Sequence, residues 1–124
     1  MVPNKKVLVV EDDASIRTLL ATLLSHNGFA CEFSKDGNDA VHRLRHTEYD
    51  AILLDLMLPG QLGFDVIRFL HDERPAMSPR VIVLTAASQA MLQNFDSSGI
   101  HAVMRKPFDI NQLLSRVRAC ASAT

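Results

Sequence analysis

Five short runs of consecutive apolar residues, each followed by a longer stretch with helical spacing, restrict this chain more than any other feature it has. Lys6-Val7-Leu8-Val9-Val10 is apolar at successive positions and not at every second one, which predicts a strand buried on both faces. Ile16, Leu19, Leu20, Leu23 and Leu24 then repeat at the spacing of one helix face, and Asn27-Gly28 ends it. Phe29 to Ser34 reads as a second strand, with a helix through Ala40, Val41 and Leu44 after it. Ala51-Ile52-Leu53-Leu54 is a third strand, closed by Asp55 and a Pro59-Gly60 loop, and a helix from about Phe64 to Asp72 follows. Pro75 and Pro79 mark the connection to the strand Arg80-Val81-Ile82-Val83-Leu84. A weaker amphipathic helix runs from Ser88 to about Ser97, ending near Gly99, and Ala102-Val103-Met104 is a short fifth strand. The last helix has the strongest start signal. Asp109 and Gln112 have capping-box spacing, Phe108 and Leu113 that of a hydrophobic staple, and Ile110, Leu113, Leu114, Val117 and Ala121 form its inward stripe.

Strands alternating with helices predict an α/β fold, one parallel sheet with right-handed crossovers covering both faces. The chain of 124 residues suits a single domain spanning 1–124. A net charge of −1 gives no reason to expect nucleic-acid or membrane binding by this chain. No apolar run approaches the ~20 residues of a membrane span, and Val7 to Val10 is too short for a signal-peptide core, so a cytoplasmic location is expected. Cys31 and Cys120 belong to no CxxC pattern and read as small hydrophobes in a reducing compartment.

In parallel sheets of this kind, ligands bind beyond the carboxyl ends of the strands. The residues there are Glu11 and Asp12 after the first strand, Asp55 after the third, Thr85 after the fourth, and Lys106-Pro107 after the fifth. Taken singly, each has an ordinary explanation. Glu11-Asp12-Asp13 could be a solvated turn with a helix cap, Asp55 a loop cap, Thr85 a strand-end hydroxyl and Lys106 a surface lysine. Together they occupy the same end of different strands. Two carboxylates about 5 Å apart at an effective dielectric near 20 repel by on the order of 3 kcal/mol. A divalent cation with the Lys106 ammonium would offset that, and Mg²⁺ suits a site that offers carboxylates and leaves room for phosphate oxygens. Asp55 could then act as a carboxylate nucleophile forming an acyl phosphate, with Lys106 stabilising the transferring group and Thr85 donating a hydrogen bond to the product.

Val9-Val10-Glu11-Asp12-Asp13-Ala14-Ser15-Ile16-Arg17, Asp50 to Gly60, Val83-Leu84-Thr85-Ala86 and Lys106-Pro107-Phe108 resemble the receiver domains of bacterial two-component response regulators. The resemblance implies a flavodoxin-like (βα)₅ doubly wound fold with strand order 2-1-3-4-5. It implies phosphoryl transfer to Asp55 from a sensor histidine kinase or phosphotransfer protein. Asp12 is then the direct Mg²⁺ ligand, Glu11 the outer one acting through water, and the Met57 carbonyl completes the metal site. Lys106-Pro107 would be a cis peptide, and Ala86 the small residue that leaves the acceptor accessible. Binding partners would see a changed surface on the fourth helix, fifth strand and fifth helix, read by a downstream protein or a fused output domain; a homodimer on phosphorylation is compatible with this.

The chain departs from the family pattern in three places. Val103 stands where a switch Tyr or Phe is usual, Leu62 takes a loop position that is often polar, and the stretch from Thr85 to Lys106 is about one residue short. These bear on signalling and remove no chemical group. Three other functions compete with this one. An aspartyl-phosphate phosphohydrolase would carry an acid two residues after its nucleophile, where this chain has Met57. A flavin carrier would need a Ser/Thr/Gly-rich loop where Glu11 and Asp12 stand. An interaction module that is never phosphorylated is consistent with Val103. His42 and His46, four apart on one helix without an acidic or Cys partner, read as a solvated face, as does His42-Arg43-Leu44-Arg45-His46. Arg105, Arg116 and Arg118 suit either a partner surface or a plain solvated one.

Overall fold

The computed structural model describes residues 4–58, 63–86, 88–93 and 95–122. The strands are β1 (Lys5–Val10), β2 (Phe29–Ser34), β3 (Ala51–Leu54), β4 (Val81–Thr85) and β5 (Ala102–Arg105). The helices are α1 (Ala14–His26), α2 (Gly37–His46), α3 (Gly63–Glu73), α4 (Gln89–Gln93) and α5 (Ile110–Ser122). All strand pairs are parallel, in the order β2-β1-β3-β4-β5. The expected doubly wound fold and its strand order are therefore both present. The Pro59-Gly60 loop and Leu62 lie outside the described residues.

The wholly apolar strands have a direct cause. Leu8, Val10, Ile52, Leu54, Val81 and Val83 pack on one face against Ala40 and Leu44 of α2 and Val66, Phe69 and Leu70 of α3. Val7, Val9, Leu53, Ile82 and Leu84 pack on the other against Leu20 and Leu24 of α1 and Leu113, Leu114 and Val117 of α5. Alternate residues thus face opposite cores, and neither set can be polar. Asp side chains start three helices. Asp13 accepts from the Ser15 and Ile16 amides, Asp36 from Asp39, and Asp109 from Gln112 at 2.9 Å. Cys120 is buried and Cys31 half-buried, as small hydrophobes would be. No helix among the described residues is long and apolar enough to cross a membrane.

Three expectations need correction. α4 ends at Gln93 and not near Ser97, because the Asp96 carboxylate accepts from the Ser98 amide at 2.9 Å in a side-chain turn that competes with helix. Arg80 belongs to a 3₁₀ helix, Pro75–Arg80, and its guanidinium donates to the Tyr49 carbonyl at 2.9 Å. Leu19 and Ile110 are 43% and 42% exposed. A flat sheet contacts only the centre of each helical stripe, so these two edge positions line a shallow apolar groove with Ile16, Ala86, Pro107 and Phe108. Arg118 is exposed and donates to Asn27 at the end of α1 at 2.7 Å.

Tyr49 carries no signal in the sequence, yet it is almost fully buried and donates its hydroxyl to Glu32 Oε1 at 2.6 Å. Arg43 reaches the same oxygen at 3.3 Å and Lys6 the other one at 3.7 Å. Burial first, and then the bond to Glu32, push the phenol up to about 12 from its ordinary 10.0. A group whose folded pKa is raised contributes stability below its unfolded pKa and loses it through the folded one. The protein should therefore lose stability between pH 10 and about 12, by roughly 3 kcal/mol at most. With one tyrosine and no tryptophan, near-ultraviolet phenolate absorbance reports this group alone. A phenolate midpoint near 10 in the folded protein would contradict the burial argument.

Candidate functional site

Register brings the strand tips together. Val10 lies opposite Ser34 and Leu54, and Leu54 opposite Val83. One residue further on, the Glu11 amide donates to the Ser34 carbonyl, the Asp55 amide to the Val10 carbonyl and the Lys106 amide to the Thr85 carbonyl, at 3.0, 3.0 and 2.8 Å. The sheet ladder continues just far enough to fix these backbones before the chains diverge. Of the expected side chains, Glu11, Asp55 and Thr85 are buried and Asp12 is exposed.

Lys106 Nζ sits between two carboxylates, 2.8 Å from Glu11 Oε2 and 3.1 Å from Asp55 Oδ2. The second Asp55 oxygen accepts from the Met57 amide at 2.9 Å. One oxygen each from Glu11, Asp12 and Asp55 lie within 4.8 Å of one another. Burial pushes the Glu11 carboxyl above its usual range, with the Asp55 charge adding to it against the pull of Lys106. Burial also acts to lower the Lys106 ammonium, but the hydrogen bond to Glu11 and the charges of Asp55 and Glu11 outweigh it, and the net shift is upward. When ionised, three carboxylates against one ammonium leave two negative charges uncompensated. Hard oxygen donors with that residual charge fit a divalent cation such as Mg²⁺. Lys106-Pro107 is cis, as expected.

Residues 7–118 match the family model of the response regulator receiver domain. The chain belongs to that family. It is 34% identical over 116 residues to the transcriptional regulatory protein ResD of Bacillus subtilis, covering 92% of this chain and 47% of ResD. It is 37% identical over 117 residues to the DNA-binding response regulator MtrA of Mycobacterium tuberculosis, covering 94% of this chain and 50% of MtrA. The receiver domain thus spans about half the length of the curated relatives it matches. Among solved structures it resembles the receiver domain of sensor histidine kinase PA1611 from Pseudomonas aeruginosa, whose active-site cleft coordinates a magnesium ion. That match has a TM-score of 0.86 and 28% identity, and covers 96% of this chain and 98% of the other. As a receiver domain, this chain is a phosphoryl-accepting element of two-component signalling.

Two neighbours of the cluster escaped sequence reasoning. Arg17 donates one guanidinium nitrogen to the carbonyls of both Glu11 and Asp12, each at 2.9 Å. Gly63, at the start of α3, lies so close to the Asp55–Leu56 backbone that a Cβ would meet the Asp55 carbonyl oxygen and Leu56 Cα at 2.5 Å. A glycine opening a helix is a usable hint of close backbone approach; an arginine one helical turn past a cap is not. Val103 is exposed on the edge strand β5. His42 and His46 are exposed, with ring centroids 4.9 Å apart on α2.

Proposed function

We propose that Asp55 is the phosphoryl acceptor and that the reaction depends on Mg²⁺ held by Asp12, Asp55 and the Met57 carbonyl, with Glu11 acting through water. The observation that carries this reading is the Lys106 ammonium shared between Glu11 and Asp55 beside a third carboxylate. Mg²⁺, when bound, supplies the positive charge that lets an anionic phosphoryl group approach carboxylates. An Asp55 oxygen attacks the phosphorus of a phosphohistidine on a sensor histidine kinase or phosphotransfer protein. The new O–P bond forms as the P–N bond breaks, and the leaving imidazole takes a proton from solvent. Lys106 already bonds an Asp55 oxygen and transfers that contact to the arriving phosphoryl oxygens, while Glu11 keeps the ammonium in place. Thr85 is fully buried at the tip of β4, so a bond from its hydroxyl to the new group comes with a shift of that side chain.

The domain, read as a single unit over 1–124, acts only on itself, since Met57 offers no acid to protonate an external leaving group. A downstream protein or a fused output domain in the cytoplasm reads the changed surface, and a homodimer on phosphorylation is one form that reading can take. Several relatives of about twice this length are DNA-binding regulators, which supports a separate output unit over direct DNA contact by this domain. With Mg²⁺ and a small phosphodonor, the mass should rise by about 80 Da for one acid-labile phosphoryl group. An unchanged mass, or an increase that persists in Asp55→Asn, would remove the proposal.

A further inference from the structure

Asp12 differs from the other carboxylates of the cluster. Glu11 is buried against Lys106 and its amide is tied to Ser34, whereas Asp12 is exposed and its carboxylate has no partner among the described residues. The placement of the Asp12 side chain therefore follows from its backbone. Successive carbonyls of an extended strand point in opposite directions. Those of Glu11 and Asp12 converge on a single Arg17 nitrogen, at 2.9 Å each, because the chain turns there to enter α1. Arg17 is held in its own right, with its amide donating to the carbonyl of the helix cap Asp13 at 3.0 Å. The guanidinium folds back and locks the turn that carries the acidic pair.

We infer that Arg17 is a positioning residue for the cation site. By clasping the Glu11 and Asp12 carbonyls, it holds the Asp12 carboxylate where it meets those of Glu11 and Asp55. This rests on the Mg²⁺-dependent reading above and deepens it, since it assigns part of the metal affinity to a residue that cannot be a ligand. Two roles for Arg17 predict opposite signs. As a positive charge beside a cation site, it opposes Mg²⁺, and its removal would tighten binding. As a clasp on the loop, it favours Mg²⁺, and its removal weakens binding.

The test is calorimetric titration of Mg²⁺ into the full chain without phosphodonor, beside thermal melts without metal. Arg17→Ala is expected to bind Mg²⁺ about tenfold more weakly, the lower end of what residues that orient metal ligands contribute. Its phosphoryl uptake should return towards the wild-type rate at saturating Mg²⁺. A role in folding alone would lower the melting temperature and leave the affinity of the folded protein unchanged. Arg17→Lys covers the case in which alanine does not fold, because it keeps the charge while its ammonium stops one bond short of the Nη1 that reaches both carbonyls. A severalfold weaker affinity is expected there too. Wild-type or tighter Mg²⁺ binding in folded Arg17→Ala, or wild-type binding in folded Arg17→Lys, overturns the assignment. If the unsubstituted protein binds no Mg²⁺, or Asp12→Asn binds it equally well, the metal reading itself falls and takes this inference with it.

Discussion

Lys106→Ala is expected to destabilise the metal-free protein by about 3 kcal/mol, the lower end of what removing one partner from a buried ion pair costs. The ammonium is the shared partner of Glu11 and Asp55, whose side chains are 3% and 6% exposed. Without it, buried carboxylates face each other and Asp12 with nothing to offset their repulsion. For a chain of this size the melting temperature should fall by roughly 10 °C. Added Mg²⁺ should restore more stability to the variant than to the unsubstituted protein, because the more negative cluster binds the cation more tightly and a ligand stabilises the state that binds it. The opposite change is expected from Asp55→Asn, which removes one carboxylate and leaves the Lys106–Glu11 pair balanced, so the metal-free protein should melt higher. Melting curves with and without Mg²⁺ check both signs. A Lys106→Ala protein that melts with the unsubstituted one in the absence of metal would mean the carboxylates avoid their repulsion in some other way, for instance by protonating Glu11, which burial already pushes towards its neutral form.

That dependence on one lysine was legible in the sequence only in outline. The strands could be read because burial on both faces removes every polar residue from Val7 to Val10 and from Ala51 to Leu54, and their ends follow from where charge resumes. Convergence of the tips depends on register, which no local pattern specifies. It is set by pairings such as Val10 with Leu54 and Leu54 with Val83, and these follow from how the helices fill the two cores. Errors fell where the local signal competes with a contact distant in sequence or with a short polar turn. Ile110 has helical-stripe spacing but sits at the rim of α5, and α4 gives way to an Asp96 turn that apolar spacing does not reveal. Arg17 and Gly63 act on backbone atoms, carbonyls in one case and a peptide plane in the other. Of the two, only the glycine that opens α3 leaves a trace in the sequence.

Gly63→Ala should therefore be among the most damaging single changes in this domain, although it adds only one methyl group. The new Cβ would stand 2.5 Å from both the Asp55 carbonyl oxygen and Leu56 Cα. Both are backbone atoms, so no rotamer change relieves the clash; either α3 moves off the sheet or the Asp55–Leu56 segment moves away. The Gly63 amide bonds the Leu56 carbonyl at 3.0 Å, and retreat by either partner stretches that bond as well. A cost of about 3 kcal/mol is expected, at the upper end of ordinary overpacking. The chemical effect should exceed the stability effect, because Asp55 rides on the displaced segment and a misplacement of about 1 Å can lower a rate by roughly 100-fold. Gly99→Ala is the control. Gly99 has φ of +82°, and a methyl added there would meet nothing within 4 Å. Alanine at that position therefore meets only backbone strain, on the order of 1–2 kcal/mol, far from the carboxylates. Phosphoryl uptake measured at a temperature where both variants are folded separates the two effects. The expectation is a large loss for Gly63→Ala beside near-normal uptake for Gly99→Ala. Equal uptake by both would mean that the Asp55 carboxylate is positioned by its bonds to Lys106 and the Met57 amide and not by the helix packed against its peptide.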